Sequence, residues 1–150
     1  MRTTESYSRN DYKTARRRAG LTQERWAESI GCSVDSVRGY ESGTQTPCDE
    51  IVLAMCEISG LTSLAYWHMR HKSILAEKTL PEVEQLPLPQ AVVQLLCAIG
   101  EFQKSQTDLL ALAADGKITD AEEWDWQRII ERLDAVIRAA IQVKVAEGGA

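Results

Sequence analysis

Apolar side chains in the first 70 residues recur in short helical runs, each bounded by a capping residue and a glycine. The pattern predicts a first helix from about Asp11 to Ala19, with Ser8 or Asn10 as N-cap and Gly20 as terminator. Thr22 caps a second helix, Gln23 to Ile30, stopped by Gly31. Ser33 caps a third, Val34 to about Glu41, closed by Gly43. Pro47 is expected to open a fourth that reaches about Ser59, and a fifth begins near Leu61–Thr62 and carries Leu64, Ala65 and Trp67. Five short helices with polar caps at their corners make a small bundle.

The second half has a longer period. Three prolines crowd into the stretch 80–89, which cannot be helix interior and is expected to link two domains. The predicted organisation is a domain at 1–79, a Pro-rich linker at 80–89 and a helical hairpin at 90–150. Beyond the linker, Val92, Leu95, Leu96, Ile99, Phe102, Leu109 and Ala113 lie at spacings that build an amphipathic helix from Gln90. Asp115-Gly116 breaks it, and Thr119-Asp120-Ala121-Glu122 reads as a capping box. Trp126, Ile129, Ile130, Leu133, Val136, Ile137 and Ala140 then line a second helix to about Ala146. Each arm is roughly 30–40 Å long at 1.5 Å per residue. A lone hairpin leaves its apolar stripes wet. They pack either against a second chain, giving a dimer or tetramer, or back on the chain's own first domain. No strand-like alternation of useful length is present, so the fold class is all-α.

Charge sharpens the division. The net charge is −5, yet residues 1–40 hold 8 basic and 5 acidic side chains, whereas residues 73–150 hold 7 and 13. Nucleic-acid affinity follows the local field, so the acidic total does not exclude a DNA-binding first half. No apolar run approaches the ~18 residues of a membrane span, and the Arg-rich start lacks the apolar stretch of a signal peptide; no membrane association is expected and the expected location is cytoplasmic. Cys32, Cys48, Cys56 and Cys97 form no C-x-x-C pair and are expected to be reduced thiols serving as small core residues.

The run Leu21-Thr22-Gln23-Glu24-Arg25-Trp26-Ala27-Glu28-Ser29-Ile30-Gly31-Cys32-Ser33-Val34-Asp35-Ser36-Val37-Arg38-Gly39-Tyr40-Glu41-Ser42-Gly43, followed by Pro47, resembles the Cro and phage-repressor class of helix-turn-helix domain over residues 9–70. Ala27 is small where helices cross closely, Gly31 supplies the positive φ of the turn, and Leu21, Ile30 and Val37 are core positions. The resemblance implies a five-helix, lambda-repressor-like fold that binds double-stranded DNA. It makes the helix beginning at Ser33 the recognition helix, with Val34, Asp35 and Gly39 at base-reading positions and Ser36 and Arg38 beside them. It places Gln23, Ser33, Thr44, Gln45 and Thr46 near phosphates, and pairs Arg16 with Glu41 structurally. Arg17 and Arg18 are either phosphate contacts or a solvated basic face. The Pro-rich link, Gly-x-Phe helix, Asp-Gly-Lys-Ile-Thr turn and final helix are more loosely similar to regulators of temperate phages and prophages.

Several positions depart from that pattern. Gly39 has no side chain to read with, Asp35 repels phosphate but accepts from a cytosine amino group, and Val34 offers only apolar contact. Arg38 is either a base contact or a solvated charge, and Trp26 is core rather than a stacking platform. Specificity is therefore expected to rest on a homodimer and on DNA shape. The segment around Asp115-Gly116-Lys117-Ile118 and Glu122 imitates part of a calcium loop, but its first and third positions, Ala111 and Ala113, cannot ligate an ion. His68, His71 and Cys56 lack a fourth metal ligand, and no catalytic constellation is recognisable. The expectation is a transcriptional regulator, of repressor or switch type, that is not an enzyme and uses no cofactor or metal. The alternative is an antitoxin-like adaptor whose hairpin grips a protein partner and whose DNA domain serves autoregulation.

Overall fold

Glycine and cap residues set the helix ends in the computed structural model, which describes residues 10–114 and 116–146. Among the described residues there are nine α-helices and no strand. They divide into two compact units, separated between Ser73 and Ile74. No described helix is long and apolar enough to cross a membrane. Ser8, the alternative first cap, and Asp115, of the predicted turn, lie outside the described residues.

The first unit contains α1 (Asp11–Arg18), α2 (Gln23–Ile30), α3 (Val34–Ser42), α4 (Asp49–Ser59) and α5 (Ser63–Lys72). Asn10, Thr22 and Ser33 cap the first three through side-chain oxygens that accept from the amides of Lys13, Arg25 and Ser36. Gly31 ends α2 in the left-handed region at φ 73°, where a β-carbon would be strained. Pro47 does not open α4; it is buried two residues upstream, and Cys48 takes the N-cap position. Tyr12, Ala15, Trp26, Ala27, Ile30, Val37, Val52, Met55, Leu61 and Leu64 form the core, to which every helix of the unit contributes or lends a flanking residue. Trp26 is wholly buried, as expected of a core residue. Cys32 and Cys56 border this core, whereas Cys48 and Cys97 are exposed and do not serve as core residues; all four are free thiols.

Two buried polar side chains of this unit, Tyr12 and His68, pair with each other. The Tyr12 hydroxyl lies 2.7 Å from His68 Nδ1, and His68 Nε2 lies 3.4 Å from an Asp49 carboxylate oxygen. Burial pushes the Tyr12 hydroxyl up to about 12. Burial also lowers the His68 imidazole below its ordinary value, outweighing the Asp49 carboxylate that favours its charged form. A protonated Tyr12 donating to a neutral His68 satisfies both, tying α1 to α5.

The second unit contains α6 (Ile74–Thr79), α7 (Leu88–Gln103), α8 (Gln106–Ala113) and α9 (Glu123–Val145). The short α6 is an additional helix that the sequence pattern does not mark, and the non-helical stretch after it is narrower than the predicted linker because Pro89 falls in the first turn of α7, where its missing N–H costs nothing. The predicted first arm is broken at Lys104–Ser105. Ser105 is fully buried, its hydroxyl accepts from Arg132 of α9, and its backbone leaves helical geometry at φ −96°, ψ 2°. At the predicted capping box, Glu122 accepts from the amide and hydroxyl of Thr119 at 2.9 and 2.6 Å. That half of the box forms a turn just ahead of α9.

The α7 and α9 helices pack along each other as an antiparallel pair, with Ser105, just past the end of α7, meeting Arg132 in the first half of α9. Ala91 and Ile129 are buried; Leu95, Ile99, Phe102, Leu109, Trp126, Ile130 and Val136 are half-buried. Val92, Leu96, Leu133 and Ile137 remain exposed, at 37%, 63%, 37% and 42%. At about 100° per residue, Val92 and Leu96 follow the inward line of α7 in the sense of helical rotation, and Leu133 and Ile137 follow that of α9 likewise. In an antiparallel pair those two flanks face the same way, so the exposed residues share one side of the hairpin. Ile129 is occupied within the hairpin, so its predicted place in an oligomer contact is corrected to internal packing.

Candidate nucleic-acid interface

Helix α3, the expected recognition helix, is braced from behind. Arg16 grips Glu41 with two bonds, Nε to Oε1 at 2.5 Å and Nη2 to Oε2 at 3.1 Å, while Nη1 donates to the Leu21 carbonyl at 2.9 Å. The Gln23 amide donates to the same carboxylate at 2.9 Å, and the Asn10 amide donates to the carbonyls of Tyr40 and Glu41 at 2.9 and 2.7 Å. Burial by itself raises the Glu41 carboxyl; the bonds from Arg16 and Gln23 and the Arg16 charge outweigh it and hold the group below the usual carboxylate range. The Arg16 guanidinium is raised correspondingly, chiefly by its bond to Glu41. The end of α3 is thereby fixed to α1 and to the start of α2. The Asn10 bonds are the part sequence reading missed, since nothing in a capping asparagine announces a second role 30 residues away.

The opposite face of α3 is open. Val37 points inward and is buried, while Asp35, Arg38 and Ser42 are exposed. Asp35 and Arg38 form an i,i+3 ion pair at 3.0 Å, with side chains 88% and 58% exposed. In such a setting the pair contributes little to stability. Ser33 and Ser36 are joined hydroxyl to hydroxyl at 2.9 Å at the start of the helix. Val34 is half-buried against the core, so its side chain is only partly offered to a ligand.

The expected phosphate positions fall into two groups. The Gln23 amide is already committed to Glu41, and beside it the Glu24 carboxylate folds onto its own backbone N–H and the Thr22 hydroxyl, which hold it below the usual range. A carboxylate thus sits where the start of α2 would greet an anion. Arg18 donates to the Ser59 carbonyl at the end of α4, a helix-capping bond, whereas Arg17 is exposed. In the loop after α3, the Thr44 hydroxyl donates to the Gly39 carbonyl at 3.3 Å and the Thr46 hydroxyl accepts from Lys72 at 2.7 Å. Gln45 is exposed between them.

His71 stacks on Trp67 and bonds to its carbonyl, and His68 is engaged with Tyr12 and Asp49. Among the described residues no group of three or more His, Cys, Asp or Glu is placed to hold a metal ion.

Residues 13–65, from within α1 to the start of α5, match the family model of a helix-turn-helix domain. No curated protein and no solved structure matches the chain. Over those residues the first unit is similar to a helix-turn-helix domain.

Proposed function

We propose that the protein is a sequence-specific regulator of transcription, not an enzyme, that binds double-stranded DNA by laying α3 in the major groove. The carrying observation is the two-sidedness of α3. Its rear is clamped through Arg16, Glu41, Gln23 and Asn10, while its outer face presents Asp35, Arg38 and Ser42. A rigid helix with a free polar face is what base readout requires. Within this reading the resemblance to Cro and phage repressors favours repression, in the cytoplasm.

In-vitro selection of bound DNA fragments tests it. Wild-type protein yields one sequence motif, and Arg38→Ala or Asp35→Lys changes that motif without changing the helical content. Recovery of an unselected pool by the wild type, or of one identical motif by all three proteins, refutes it.

The apolar side of the hairpin supports assembly of two copies. Val92, Leu96, Leu133 and Ile137 lie on one side at the spacing of a helix-bundle seam, and a second hairpin of the same kind offers a matching stripe. Light scattering after gel filtration is expected to find a dimer or tetramer, and Leu96→Glu with Ile137→Glu to give a monomer. Persistence of the oligomer in the double variant removes this side as the seam. Co-purification with a different protein, in place of self-association, transfers the hairpin to the adaptor reading.

A further inference from the structure

Gly39 is buried although it stands on the outward side of α3. It follows Val37 by two residues, about 200° further round the helix, so its missing side chain would have pointed away from the core. The burial comes from Gln45. A β-carbon built on Gly39 would lie 2.7 Å from Gln45 Cδ, 2.8 Å from its Cγ and 3.0 Å from its Cβ. The stem of Gln45 is laid across the bare backbone of the recognition helix.

This placement is held by the loop itself. The Gln45 amide N–H donates to the Gly39 carbonyl at 3.1 Å, and the same carbonyl accepts from the hydroxyls of Ser42 and Thr44. Three donors on one oxygen fix the chain as it leaves α3. The side-chain amide is treated differently from its neighbours. Thr44 and Thr46 spend their hydroxyls on Gly39 and Lys72, and Gln23 spends its amide on Glu41. The side-chain amide of Gln45 makes no hydrogen bond to another described residue, and the residue is exposed.

We infer that Gln45 supplies the reading side chain that Gly39 lacks, and that its amide recognises an adenine in the major groove. The inference rests on the DNA-binding reading above and gives Gln45 a base-reading role in place of the phosphate contact the resemblance implies. A primary amide presents an N–H donor and a carbonyl acceptor side by side in one plane, which match the N7 acceptor and N6–H donor of adenine as a bidentate pair. Gly39 is then a requirement of readout: any larger residue displaces Gln45.

The test is selection of bound DNA by the full chain and by Gln45→Ala, Gln45→Glu and Gly39→Ala, with melting curves to show that each is folded. The wild-type motif is expected to contain an A·T pair at which Gln45→Ala loses about 10-fold or more of its discrimination, the rest of the motif being kept. Gln45→Glu is expected to move that position toward cytosine, whose amino group a carboxylate accepts, and Gly39→Ala to relax the same position. An unchanged motif in Gln45→Ala, or an equal loss of affinity for every sequence as a phosphate contact would give, overturns the inference and leaves the regulator reading standing. A wild type that selects no motif overturns both.

Discussion

At Glu41 one carboxylate receives Arg16 and Gln23 while its backbone carbonyl receives Asn10, so a single side chain joins three elements. Its side chain is 6% exposed, and removal of its charge leaves Arg16 facing a partly desolvated space. Glu41→Ala is expected to cost about 3 kcal/mol, the range for breaking a buried pair, measured by urea unfolding. The effect depends on pH in a defined direction. The folded carboxyl lies below its unfolded value, so the contribution is complete above about pH 4.3, the ordinary glutamate value, and is lost as pH falls through the lowered folded value. The gap between wild type and Glu41→Gln is therefore expected to close in acid. His68 works over a different window. Its folded value is lowered by burial, so the unfolded chain binds the extra proton, and stability falls as pH drops below about 6.5. Replacing His68 with glutamine is expected to flatten that part of the stability profile, as followed by thermal melting between pH 5 and 8.

Helix ends were legible where a local rule sets them, and illegible where a distant contact does. Thr22, Ser33, Gly31 and Gly43 mark α2 and α3 through chemistry contained within a few residues, and the helices begin and end there. The break at Lys104–Ser105 carries no proline or glycine; it arises where Arg132, 27 residues on, draws the Ser105 hydroxyl inside. Periodicity alone ran straight through it. The candidate interface divides in the same way. The outward places of Asp35 and Arg38 follow from counting turns on α3, but the cover that Gln45 lays on Gly39 needs a loop conformation no spacing rule encodes. A cap is also the cheapest place to test an element. Ser33→Ala removes the acceptor for the Ser36 amide and is expected to cost about 1 kcal/mol, seen as a lowered urea midpoint with an unchanged slope.

In the proposed function the two units divide the work: one offers a reading helix, the other an apolar seam. Removing residues 90–150 is expected to leave a folded, monomeric helix-turn-helix unit whose affinity for its operator is much reduced, because two linked half-sites bind with the advantage of effective concentration. Equilibrium binding by that fragment at wild-type strength, as a dimer, contradicts the assignment of the seam. The Asp35–Arg38 pair also bears on how the protein responds to its ionic surroundings. A duplex sheds condensed cations only for the phosphates that a protein cation replaces, and Arg38 arrives already matched by a carboxylate of its own. Affinity is thus expected to fall gently as potassium chloride is added. Asp35→Asn releases Arg38 to the duplex and should steepen the plot of log affinity against log salt by about one unit. A protein that carries its own counter-charge into the groove gives up some grip on DNA in general and keeps the preference for its own site across a wider span of cellular salt.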